Sequence, residues 1–216
     1  MILSANCTRA VPGKFEQYGE VMQDFMAAMM DLGMTPSMKV AEVGAQDVEV
    51  YLMSMHQDMR EYGKMSDAMR ESDAFKAAYQ KAAVSGAVQL VDSFNADLLP
   101  GFDVPPGPAT GVIAASAWKP FPGKVAQLIQ GFGAAKAIHE KHGATVRAWQ
   151  VMGGRWTGCL NYTISVDNMA ALGDVMEDSR EEYTAMLAVA GQDPSAEIVA
   201  QRIMTVSYTH LRAHET

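Results

Sequence analysis

Residues 12–33 read PGKFEQYGEVMQDFMAAMMDLG, and residues 122–143 read PGKVAQLIQGFGAAKAIHEKHG. The two stretches lie 110 positions apart (122 − 12 = 110), and that shift superposes Pro12-Gly13-Lys14 on Pro122-Gly123-Lys124 and Gly33 on Gly143. Carried outward without a gap, it also places Gly44 on Gly154, Gly63 on Gly173 and Arg70-Glu71 on Arg180-Glu181. A register held over most of each half points to one structural unit present twice. In the first stretch Phe15, Tyr18, Met22, Phe25, Met26 and Met29 recur at intervals of three and four. That spacing predicts an amphipathic helix over residues 14–32 with one buried stripe, and Gly33 suits its C-terminal cap. Val125, Leu128, Ile129, Phe132 and Ala135 carry the equivalent stripe in the second half.

Outward from these helices, each half reads strand, helix, strand, strand, helix, strand. In the first half the runs at 2–8, 38–43, 48–55 and 87–94 predict strands, with 44–47 as a turn. Met59, Tyr62, Met65 and Met69 mark a second helix, interrupted at Ser72-Asp73 before a further helical piece at 74–83. In the second half strands are expected at 112–118, 146–152, 159–166 and 198–204, and Met169, Leu172 and Met176 mark the second helix. Residues 1–99 and 111–206 are thus two ferredoxin-like repeats. The proline-rich stretch 100–110 is a stiff linker.

Half of the chain is hydrophobic (49%) and 19% is charged, the balance of a folded protein. A formal net charge of −8 and a pI near 5.1 argue against a nucleic-acid partner, which calls for a basic surface. No run approaches the roughly 20 apolar residues that span a bilayer, and the N-terminus has no basic leader region. A cytoplasmic location without membrane association is expected, as a monomer or homodimer. Cys7 and Cys159 fall in different halves within strand patterns and read as reduced, buried residues. Residues 207–216 resemble a terminal peptide found on unrelated translated metagenomic sequences, where adapter has been read as coding. They are expected to be a non-native, disordered tail, and the i, i+4 spacing of His210 and His214 is set aside accordingly.

The element order and the Pro-Gly-Lys entry to each first helix resemble the dimeric α+β barrel superfamily, which includes antibiotic biosynthesis monooxygenase-like, NIPSNAP-like and EthD-like proteins. The Ser72-Asp73-Ala74-Phe75 segment leading to the last strand adds to the resemblance. It implies an α+β fold in which two four-stranded antiparallel sheets pack as a barrel, here within one chain. One ferredoxin-like unit covers one sheet face with its helices; the other face needs a second sheet. Haem-degrading members carry an asparagine on the first strand, a tryptophan on a later strand and a histidine on the second helix. No histidine falls within 59–83 or 169–189, so that element is missing. Quinone-forming members need no metal or organic cofactor, because an electron-rich substrate itself reacts with oxygen. No phosphate-binding glycine loop, zinc pattern or nucleophile elbow occurs; no cofactor and no metal site are expected.

Strand alternation sorts residues by face. Leu3, Ala5 and Cys7 read as helix-facing, which sends Asn6 into the barrel with Ser116 and Trp118. Tyr51, Met53 and Met55 point away from Val50 and Leu52, and Asn161 opposes Leu160 and Tyr162. Asn6, Tyr51, Ser116, Trp118, Trp149 and Asn161 are therefore the candidate barrel lining, for a small apolar or aromatic ligand; no catalytic residue is assigned. Two readings stay open: a cofactor-independent monooxygenase-like enzyme, or a non-catalytic barrel that binds a ligand or serves assembly. Side chains filling the lumen would remove the first. His139 and His56 read as structural or capping residues, and Asp92 and Arg202, again 110 apart, as a tie between the last strands.

Overall fold

The computed structural model describes residues 1–45, 48–103 and 111–206. The first half runs β1 (Ile2–Ala10), α1 (Phe15–Asp31), β2 (Ser37–Val43), β3 (Glu49–His56), α2 (Met59–Glu71), α3 (Asp73–Ser85) and β4 (Val88–Leu98). The second runs β5 (Val112–Pro120), α4 (Val125–Lys141), β6 (Thr145–Val151), β7 (Leu160–Val166), α5 (Met169–Asp178), α6 (Arg180–Ala190) and β8 (Ala196–Val206). The linker reading across 104–110, the tail reading with His210 and His214, and the turn at 46–47 fall outside the described residues.

The strands close into one antiparallel barrel in the order β1-β3-β2-β8-β5-β7-β6-β4. Each half contributes four adjacent strands, and the halves are stitched at two seams. Val40 faces Thr205 across β2 and β8, and Asp97 faces Gln150 across β4 and β6. The fold is α+β, with two ferredoxin-like units whose sheets complete a barrel inside one chain. Among the described residues no helix is long and apolar enough to cross a membrane.

Three apolar layers follow from this arrangement. Tyr18, Met22, Phe25 and Met29 of α1 pack on Val50 and Leu52 of β3, and Leu128, Phe132 and Ala135 of α4 pack on Leu160, Tyr162 and Ile164 of β7. The third layer is the lumen, where Ala5, Cys7, Ala41, Tyr51, Met53 and Met204 meet. Helix boundaries follow side-chain capping: Asp58 accepts from the amides of Arg60 and Glu61, Ser72 from Phe75, and Asn168 from Ala171. The spacing of Met169, Leu172 and Met176 predicts one helix, whereas the structure has both α5 and α6. The second escapes a periodicity reading because none of its residues is buried.

Gly44 and Gly154, matched in the sequence, explain each other in the fold. Both have positive φ, +85° and +79°. A methyl group on Gly44 would collide with the Gln201 carbonyl oxygen of β8, and one on Gly154 would lie 2.6 Å from the Ser93 carbonyl oxygen of β4. Each glycine lets the loop after β2 or β6 rest on the last strand of the other half.

The gapless register ends before the last strands. Ile2 faces Asp97 and its counterpart Val112 faces Thr205, an offset of 205 − 97 = 108 against 112 − 2 = 110. The second half is two residues shorter here, consistent with α6 having 11 residues to the 13 of α3. The counterpart of Asp92 is therefore Ala200, and that of Arg202 is Phe94.

Candidate functional site

The barrel is not filled. A cavity of about 860 Å3 runs through it, within the size range of small-molecule sites. Its walls are mostly apolar, with Leu3, Met34, Met53, Phe94, Ile113 and Trp149 among the lining residues. Tyr51, Trp149 and Asn161 line it as the strand alternation predicts, and Ser116 borders it. The Ser116 hydroxyl is engaged, accepting from Trp118 Nε1 at 2.8 Å.

Two candidates lie elsewhere. Trp118 packs its ring on Phe132 of α4 at 6.0 Å. Asn6 is exposed on the outer face of β1, because the inward set on that strand is Leu3, Ala5 and Cys7. The outward set is fixed by Thr8, whose hydroxyl is 2.8 Å from the Tyr18 hydroxyl on α1. On β1 the lumen face is the apolar one and the outer face carries Ser4, Asn6 and Thr8, so the apolar-equals-helix-facing rule points the wrong way.

At the end of the barrel where β3 begins, an ion network centred on the buried Glu49 joins the halves. Arg202 Nε donates to Glu49 Oε2 at 3.1 Å, and the Tyr51 hydroxyl donates to the same oxygen at 2.9 Å. Arg155 stands 4.0 Å from Glu49 and 3.5 Å from Asp92. Asp92 and Arg202 are thus connected through Glu49 and Arg155, not paired directly. Both acids come from the first half and both arginines from the second. Burial opposes ionisation of Glu49, but the Tyr51 hydroxyl and the two guanidiniums outweigh it and hold the carboxyl below its ordinary range. Burial, with Cys7 and Glu49 beside it, pushes the Tyr51 phenol far up, so it stays protonated. Burial likewise raises the Cys7 thiol to about 11, which leaves it unreactive. The backbone amide of Arg155 and that of Ser93 donate to Asp92 Oδ1, which moors the β6–β7 loop and brings Trp156 to the cavity.

Two cations of the lumen escape a search for polar pairs. Lys39 on β2 is fully buried, and burial lowers its ammonium to about 8. Arg147 on β6 lines the cavity, and burial lowers its guanidinium too. A lone Lys or Arg in a short strand reads as solvated. The parity was nonetheless available: Trp149 shares its face with Arg147, and Met38 and Val40 bracket Lys39 on the helix side. Elsewhere, His139 is buried with Nδ1 2.9 Å from the Tyr162 hydroxyl, a structural role. His56 is buried against Ser54 and the Tyr62 ring, not at the surface. No group of three or more His, Cys, Asp or Glu that could hold a metal ion occurs among the described residues.

No family model and no curated protein matches the chain. Solved structures do. A Fusobacterium nucleatum protein named as a candidate monooxygenase superposes with a TM-score of 0.60 at 11% identity, covering 95% of this chain and 94% of that one. An anthrone oxidase-like protein gives 0.59 at 12%, covering 95% and 91%. A candidate monooxygenase of Lactobacillus acidophilus gives 0.58 at 8%, covering 95% of each chain. At such identities the likeness is one of fold: this chain shares the α+β barrel architecture of those structures.

Proposed function

We propose that the chain is a monooxygenase-like enzyme that oxidises a small aromatic substrate inside the barrel, using the electrons of the substrate itself. The observation that carries this reading is the open cavity, apolar on most of its wall and interrupted by a few inward polar groups. A lumen packed solid with Met53, Met55 and Trp149 would have left no room for chemistry.

A methylene flanked by aromatic rings suits such a site. One diaryl methylene and one dioxygen give one diaryl ketone and one water, a change that balances with oxygen as the only co-reactant. Its first demand is removal of a proton, which gives an electron-rich carbanion able to reduce oxygen. Lys39, opposite Tyr51 in the strand register, has an amine lowered to about 8, which leaves a fraction of it neutral near pH 7 and able to accept that proton. The Asn161 amide orients the substrate oxygen, and Trp149 stacks on its ring.

Anthrone is a suitable probe. Oxygen uptake should match ketone formation one to one, and Lys39→Met or Asn161→Leu should each lower kcat/KM at least tenfold. A folded chain that takes a dye into its lumen yet oxidises neither anthrone nor related hydroxyaromatics is a binding protein and not an enzyme.

A further inference from the structure

Two lumen atoms are buried without a hydrogen-bond partner among the described residues: Nε of Arg147, a donor, and Oδ1 of Asn161, an acceptor. Both side chains come from one wall. Arg147 faces Thr163 and Trp149 faces Asn161 across β6 and β7. Arg147 and Asn161 are therefore diagonal neighbours on the inward face, with Cα atoms roughly 7–8 Å apart. Leaving such groups buried and unmet is costly, more so where one is charged.

The other arginines at the cavity are satisfied, Arg202 by Glu49, and Arg155 by Glu49 and Asp92. Asp167, which also lines the cavity, is exposed and forms no ion pair with Arg147 among the described residues. Arg147 stays charged at neutral pH whatever its burial. The first half has no copy of this pair, because Ser37 and Tyr51 stand at the equivalent positions (147 − 110 = 37; 161 − 110 = 51).

We propose that the ligand of this cavity is an aromatic anion. Its acidic oxygen accepts from Arg147, a hydroxyl or N–H group on the same molecule donates to Asn161 Oδ1, and its rings lie against Trp149 and Met53. This rests on the reading of the lumen as a substrate site and narrows it to acidic aromatics held in one orientation.

Two dyes sharing one ring system separate the anion from the container. 8-Anilino-1-naphthalenesulfonate and N-phenyl-1-naphthylamine both carry an N–H group, and only the first is charged. In fluorescence titrations of the full chain at pH 7 the sulfonate should bind at least tenfold more tightly. Arg147→Met should cut that preference at least fivefold while changing the neutral dye less than twofold, and Arg147→Lys should restore part of it. Equal affinity of the wild type for the two dyes overturns the anion assignment and leaves the container standing, whether or not the variants fold. An unchanged ratio in Arg147→Met overturns it equally. Failure of both dyes to bind removes the container reading as well.

Discussion

The two walls of the barrel are alike outside and unlike inside. On the outer faces the halves use the same devices: an apolar stripe on the first helix, a paired core under it, and a glycine that lets a loop rest on the opposite half. On the inner faces Lys39 has Trp149 as its counterpart, Tyr51 has Asn161 and Ser37 has Arg147, each pair 110 apart in sequence. A helix-to-sheet interface asks only for apolar volume, so both halves solve it in the same way. The inner face of a barrel that holds a ligand must match one molecule, and a ligand without two-fold symmetry needs two different walls. On the proposed reading, the difference between the walls is what fits them to one ligand.

The largest break in this comparison should come from the ion network between the walls. Glu49→Leu strips Arg202 of its carboxylate partner and leaves Arg155 with Asp92 alone, and should cost roughly 3–5 kcal/mol in urea unfolding, the range for breaking a buried pair. The double variant Glu49→Leu/Arg202→Leu should recover part of that loss, since the stranded charge goes too. A cost under about 1 kcal/mol for the single variant would mean that the halves are held by the seams alone.

Next come the glycines at the seams. Gly44→Ala both strains a left-handed residue and collides with Gln201, and should cost about 2–3 kcal/mol. Gly33→Ala has the same strain and open space around it, and should cost about 1 kcal/mol. Equal losses at the two positions would contradict the close approach.

The titration of Lys39 is a smaller effect with a definite sign. Its ammonium is lowered to about 8 in the folded chain against an ordinary 10.5, so between these values the unfolded chain binds more protons. Stability should then rise as pH increases above about 8, by up to about 1.4 kcal/mol per pH unit. Cys7 acts oppositely above about pH 9, because its thiol is raised to about 11. The clean window is pH 8–9, where Lys39→Met should flatten the slope of unfolding free energy against pH. The smallest effect belongs to Asn6→Ala, which should change stability by less than about 0.5 kcal/mol and leave dye binding intact, because Asn6 is exposed outside the barrel.

Much of the scaffold was legible because helices and turns carry local signals. The stripe from Phe15 to Met29, the cap at Gly33 and the break at Ser72-Asp73 each reflect a period or a backbone constraint that is written nearby. The lumen was legible only in part. On β3 and β7 the residues beside Tyr51 and Asn161 are apolar and helix-facing, so alternation points inward correctly. On β1 the lumen is itself apolar, and Leu3, Ala5 and Cys7 look like a helix-facing set when they face the cavity. Lys39, Arg147, Arg155 and Glu49 gain their meaning from strands far apart in the chain, which no local pattern records.

One measurement bears most directly on an open, two-walled container: the stoichiometry of N-phenyl-1-naphthylamine bound to the wild type and to Ala115→Trp, whose new side chain would occupy the lumen. Ala115 lines the cavity and packs against the lumen cluster. One dye per wild-type chain, with binding lost in a folded Ala115→Trp, is the expected result. Two equivalent dyes per chain, or binding untouched by the tryptophan, would contradict a single asymmetric site inside the barrel.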